Sequence, residues 1–145
     1  MPVDANITAE NSAQTVRLAE LIGRLTDADL ARDLGEGWTV ATAMAHAAFW
    51  DRRAVVVFER WSRDSTPYRD QDDDILNDTL LFEWRASPPR VAAGMAVEAA
   101  RAVDATVAAL PEQVIEAVTA LGDTFLLMRS NHRREHIEQI EAALA

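Results

Sequence analysis

The chain has no cysteine in its 145 residues. That excludes disulfides, zinc–thiolate sites and a thiol nucleophile of the protein's own, and it fits a reducing compartment. Basic residues are in the minority. Fourteen Lys and Arg stand against 24 Asp and Glu, for a formal charge of -10. Such a surface repels phosphate backbones, so a nucleic-acid partner is not expected. Long apolar runs are also missing. None approaches a membrane span, and MPVDANITAEN at the start shows no basic-then-apolar signal. A soluble, cytoplasmic protein without a membrane partner is the expectation. Strand signals are scarce too, since the one compact β-branched run, VVVF at 55–58, continues a helical pattern.

What remains is rich in Ala, Leu, Glu and Arg, and 49 % of the chain is apolar, enough for one domain with its own core. A first helix is predicted over about 8–25, with Thr15, Leu18, Leu21, Ile22 and Leu25 as its buried stripe. Turn chemistry follows in TDADLARDLGEGWT. Thr26 and Asp27 are possible caps, and Gly35 and Gly37 possible helix stops. Thr39 is a good N-cap for a second helix reaching Trp61 or Arg63, with Trp38 before it as a staple. SRDSTPYRDQDDD reads as a long crossover loop. A short helix follows over about 73–85. Ser87-Pro88-Pro89 ends it and opens another helix running to about Leu110, before Pro111. Gly122 and Asp123 signal a last helix from about Thr124. Four long helices and one short one pack most simply as an all-α four-helix bundle with one long crossover.

The three histidines of the chain carry the chemistry. His132 and His136 are four residues apart, on one face of a predicted helix and about 6 Å apart along its axis. With Phe125 and Met128 they continue a stripe that reads inward, flanked by Ile137 and Ile140. His46 lies in ATAMAHAAFW, where Ala43, Ala45, Ala47 and Ala48 leave room for a neighbouring helix. Neutral imidazoles are common ligands of zinc, nickel and iron. Spacing alone makes a pair of His132 and His136 but cannot recruit His46.

Three segments, GWTVATAMAHAAFWDRR, DDDILNDTLLFEWRASPPRVAAG and HRREHIEQIEAAL, occur in this order. Together they resemble the DinB-like superfamily of metal-binding four-helix bundles, whose relatives include the mycothiol-dependent maleylpyruvate isomerases. The resemblance implies that His46, His132 and His136 hold one divalent metal (Zn, Ni or Fe) and leave an open position. It implies a small-molecule substrate, a low-molecular-weight thiol as possible cosubstrate, transferase, isomerase or hydrolase chemistry, and a homodimer. It draws attention to Asn77 as a residue for binding a cofactor; Trp50, in an apolar wall beside His46, and Arg53, which could line the site mouth, are further candidates. A non-catalytic dimeric stress or binding protein with a structural metal is the alternative.

Competing motifs are weaker. His132 to His136 spells H-x-x-E-H, but that zinc-peptidase pattern needs a further acidic ligand well downstream, and nine residues follow His136. Glu135 is the candidate base for a metal-held water; a solvated Glu pairing with nearby Arg is its bland reading. A ferritin-like di-iron site needs Glu three residues before each His, and none is there. Asp51, Arg52 and Arg53 read as a surface charge cluster that could line a site mouth. Trp38, Trp50, Trp61 and Trp84 read as core or dimer-interface residues.

Overall fold

Helix starts in this chain are set mostly by short polar side chains. Asp4 accepts the Asn6 amide proton at 2.7 Å ahead of α1 (Ala5–Arg24). Thr26 and Asp29 form a reciprocal capping box on the one-turn α2 (Asp27–Leu30). Thr39 and Thr42 do the same for α3 (Val40–Asp64). Asp72 accepts from the Ile75 amide to cap α4 (Asp73–Ala86). Pro89 opens α5 (Pro89–Ala108), where a missing N–H leaves no gap in the helix ladder. The remaining helices are α6 (Glu112–Ala120) and α7 (Ser130–Leu144). This computed structural model describes residues 2–122 and 126–145. The described residues are all-α apart from one short hairpin, β1 (Asp33–Gly35) with β2 (Trp38–Thr39).

Several expectations are corrected. Residues 112–120 form α6, and Thr26 caps a separate turn of helix. Both are too short to show a clear periodicity. Gly35 and Gly37 stop no helix. With Glu36 they make three successive positive-φ residues, at 94°, 54° and 81°, which reverse the chain between β1 and β2. The last helix begins at Ser130; the proposed start at Asp123 and Thr124, and Phe125 of the inward stripe, lie outside the described residues.

Gly37 is favoured by its backbone, whose φ of +81° a side chain rarely adopts; a Cβ there would also displace the flexible end of Arg85, whose Nε donates to the Gly37 carbonyl at 3.0 Å. Gly94, in mid-helix, has open space where its Cβ would go. Gly37→Ala is therefore expected to destabilise by about 1–3 kcal/mol, while Gly94→Ala stabilises by roughly 0.5–1 kcal/mol. Urea titration of the two variants checks the opposite signs.

Four helices contact one another in a closed ring: α1 with α5, α5 with α3, α3 with α7, and α7 with α1. α3 packs more extensively against α5 than against α7. Ala41 and Ala48 pack with Ala93, Ala96, Ala99 and Ala100. The core has two apolar ends. One holds Leu18 and Leu21 of α1, Met44 of α3, Ala96 of α5 and Ile137 and Ile140 of α7. The other holds Phe58 and Trp61 of α3, Val103 and Val107 of α5, Val114 and Val118 of α6, and Leu126 and Leu127. The sequence order of these residues gives helix directions. α7 runs from the second end toward the first, and α3 and α5 run from the first toward the second.

Between the two apolar ends lies a buried polar layer. Asp51, expected at the surface, is 3 % exposed and takes part in this layer. Its Oδ1 accepts from Arg129 Nε at 3.0 Å, and its Oδ2 from Arg133 Nε and Nη2 at 3.3 and 3.2 Å. Arg133 Nη1 also donates to the Asn11 carbonyl and to Thr15 Oγ1, and its Nη2 stands 2.9 Å from Asp104. Burial pushes the Asp104 carboxyl up, against the pull of Arg133 and Thr15. Asn11 completes the layer. Its Oδ1 accepts from the Ser130 amide and its Nδ2 donates to the Leu127 carbonyl, both at 2.9 Å, so α1 supplies the cap that α7 lacks within its own sequence. Most struts of this layer end on or next to the first turns of α7, while Thr15 donates to Asp104 and ties α1 to α5. Among the described residues no helix is long and apolar enough to cross a membrane.

Candidate metal centre

The ring brings His46 of α3 against His132 and His136 of α7. Nε2 of His132 lies 2.9 Å from Nε2 of His46 and 3.0 Å from Nε2 of His136. One ligand atom from each of the three lies within 4.8 Å of the others. Two nitrogens bound about 2.0–2.1 Å from one ion stand about 2.9 Å apart at a right angle and about 3.4 Å apart at the tetrahedral angle. The two measured separations fall in that span.

Hydrogen bonds alone do not account for the arrangement. A ring nitrogen carries either one proton or one lone pair, so His132 Nε2 can satisfy one of its two neighbours. A shared ion satisfies all three at once, provided each ring keeps its proton on Nδ1. For His136 the surroundings fit: its Nδ1 faces Gln139 Oε1 at 3.3 Å, an acceptor that holds the proton there. His46 Nδ1 is buried with no hydrogen-bond partner. Around His46 stand indole rings in its place. Trp38 and Trp84 meet it edge to face at 5.3 Å, and Trp50 at 6.4 Å. Three of the four tryptophans thus wall the candidate site; Trp61 belongs to the far apolar end.

Burial keeps the imidazoles neutral. The His132 ring is pushed down to about 2, first by desolvation and then by His136, His46 and the two arginines beside it. His46 falls to about 4, by desolvation and by His136, with Asn77 acting weakly the other way. His136 is lowered by the same desolvation, opposed by Gln139 and Glu135. The unfolded chain has ordinary imidazoles that protonate near pH 6.5. Below that pH it binds protons that the folded, metal-free protein refuses, so stability falls with pH from 6.5 toward about 4. His46 alone would contribute on the order of 3 kcal/mol to this loss. Thermal unfolding of metal-free protein from pH 7 to 5 is expected to show a falling Tm, with a shallower fall in His46→Gln. Equal slopes in the two proteins would show that the imidazole stays chargeable when buried.

A cavity of about 190 Å³ opens beside the histidines, between α3, the 65–72 segment and α4. His46 and His132 line it together with Trp50, Arg53, Tyr68 and Asn77. Trp50 Nε1 donates to Asn77 Oδ1 at 2.8 Å, which ties α4 to α3 across the cavity wall. The Asp51-Arg52-Arg53 cluster divides three ways: Asp51 is buried, Arg52 is exposed, and Arg53 lines the cavity. Glu135 is exposed on another side of α7, in a separate hollow with His132 and Glu138. Among the described residues Glu135 makes no ion pair with arginine; Arg134 bonds to Glu10 at 2.8 Å instead. Sequence reasoning missed Gln139, although its position three residues after His136 on a helix is the signal that would have found it. It also missed Tyr68, for which the sequence offered no signal.

No family model, no curated protein and no solved structure matches the chain. The reading of the site rests on its own geometry and chemistry.

Proposed function

We propose that the chain is a metal-dependent enzyme of the DinB-like type, acting on a small molecule, with one divalent ion held by His46, His132 and His136. The observation that supports this best is the convergence of three neutral Nε2 atoms, one of which faces two others that it cannot both satisfy by hydrogen bonds. The ring of α1, α3, α5 and α7 suits the four-helix bundle of that superfamily. Such an ion, zinc, nickel or iron, would stabilise the anionic form of a thiol or water and polarise a bound carbonyl.

The chain's own residues then have distinct tasks. Gln139 fixes the His136 tautomer. Trp38 and Trp84 exclude water from the His46 ring. Trp50 and Asn77 shape the wall on which a substrate would lie, and Arg53 reaches the same cavity. A thiol cosubstrate accords with a chain that has no sulfhydryl of its own. Glu135 stands beside His132 on the solvent side, where it can exchange protons with water. A purely structural ion would be sealed by protein, whereas His46 and His132 both line an open cavity, which favours catalysis over the structural alternative. The same reading includes a homodimer, for which Ile75 and Phe82, 62 % and 80 % exposed on α4, offer apolar surface.

Elemental analysis of protein purified without chelators tests the proposal. One divalent ion per chain, with further thermal stabilisation by small thiols, is the expected result. Absence of metal, with no stabilisation by added zinc, nickel or iron, overturns it.

A further inference from the structure

His46, Trp50 and Arg53 follow at intervals of four and three on α3, so they share one face, with Arg53 about 10 Å along the axis from His46. The cavity therefore has two ends of different chemistry. At the first end are the imidazoles. At the other, the Arg53 guanidinium sits against two rings, 5.6 Å from Trp50 and 5.2 Å from Tyr68. Its Nη2 donates weakly to the Arg69 carbonyl at 3.5 Å, and Gln71, with its amide oxygen turned toward the guanidinium, accepts from Nη2 and Nε. Nothing among the described residues bonds to its Nη1, and it makes no ion pair there.

Two carboxylates stand near this end, and neither pairs with Arg53. Asp70 accepts from the Tyr68 hydroxyl at 2.9 Å. Asp73 lines the cavity but lies in the first turn of α4, where a negative charge meets the positive end of the helix. Arg129 also lines the cavity, and its charge faces Asp51. Arg53 is thus a prepared cation, stacked and oriented, with donors left over. The imidazole end points to the same ligand charge, because three neutral rings leave a divalent ion with its full charge uncompensated. The space is sufficient, since a cavity of about 150 Å³ is enough to take a benzene-sized molecule.

We propose that this cavity binds a small, flat organic anion whose carboxylate is held by Arg53 and whose other end faces the histidines. The inner end of this inference rests on the metal reading above; the carboxylate end rests on Arg53 alone. Benzoate and its neutral isostere benzamide separate the two. In isothermal titration of metal-free protein, benzoate is expected to bind at least about tenfold more tightly than benzamide. Arg53→Gln is expected to erase that preference and Arg53→Lys to retain part of it, with circular dichroism confirming that both variants fold. Equal binding of the two probes, or a preference that survives in Arg53→Gln, overturns the proposal. If benzoate binding depends on Arg53 and yet no metal is taken up, the anion site stands and the metal reading falls. If metal binds and benzoate shows no preference, the reverse holds.

Discussion

His132→Ala is expected to abolish stoichiometric metal uptake and to lower affinity for added zinc by more than about 100-fold, beyond the 10–100-fold that losing an outer-shell partner brings. His132 is the middle member of the triad, within 3.0 Å of both other Nε2 atoms. Removing it leaves His46 on α3 and His136 on α7 with no ligand between them. The effect is readable through stability as well. Metal present at 100 times its Kd stabilises the folded state by about 2.7 kcal/mol. For a chain of this size that is roughly 5–10 °C in Tm. The wild-type protein should show this rise and lose it on addition of a chelator; His132→Ala should show neither change. Metal affinity should also depend little on pH around neutrality, because burial already keeps the His46 and His132 rings deprotonated there. Unchanged zinc uptake by His132→Ala would refute its place as a ligand.

The parts of this structure that were legible in advance are those decided within a few residues. Thr39 was readable as a cap because the atoms it bonds, in Thr42, are three residues away. Ser87-Pro88-Pro89 was readable because proline's limits are local. The pair of His132 and His136 was readable because one helical turn sets its spacing. His46 was recruited by resemblance alone, since its contact with His132 spans 86 positions and no periodicity reports it. Asp51 and Arg53 show the limit most clearly. They are two residues apart in a run of charges, and the run read as one surface cluster. Helical geometry turns them to different faces, one into the polar layer and the other toward the cavity. Which face is which depends on where α7 and the 65–72 segment come to rest. For the tryptophans the core reading holds for Trp61 and Trp84, and what it leaves out is that Trp84, with Trp38 and Trp50, also walls the site. Core and site wall have the same apolar signature, and only the position of His46 separates Trp38, Trp50 and Trp84 from Trp61.

Asp51→Ala is expected to cost about 3–5 kcal/mol of folding stability, the range for breaking a buried ion pair by removing one partner. Its carboxylate bridges Arg129 and Arg133, whose side chains are 5 % and 2 % exposed. Removing it leaves two guanidinium groups in the interior with three fewer hydrogen bonds from Arg129 and Arg133. Arg133 keeps Asp104, Thr15 and the Asn11 carbonyl, so collapse is not expected. Exposure predicts a contrast. The Arg134–Glu10 pair has side chains 35 % and 51 % exposed, and Glu10→Ala should change stability by less than about 1 kcal/mol. Denaturant titration of the two variants gives both numbers, and a loss below about 1 kcal/mol in Asp51→Ala would mean that water reaches the layer. The same substitution reaches the candidate metal centre indirectly. Asp51 lies on α3 beyond His46, and the arginines it holds stand on either side of His132 in sequence. The layer thereby fixes α7 against α3 both along and around its axis. The separation of His46 from His132 depends on that register, since a shift of about 1 Å would carry the nitrogens out of the span that a tetrahedral ion requires. Asp51→Ala should therefore weaken zinc binding while leaving all three ligands in place, and Asp51→Glu, which restores the charge, should recover part of it.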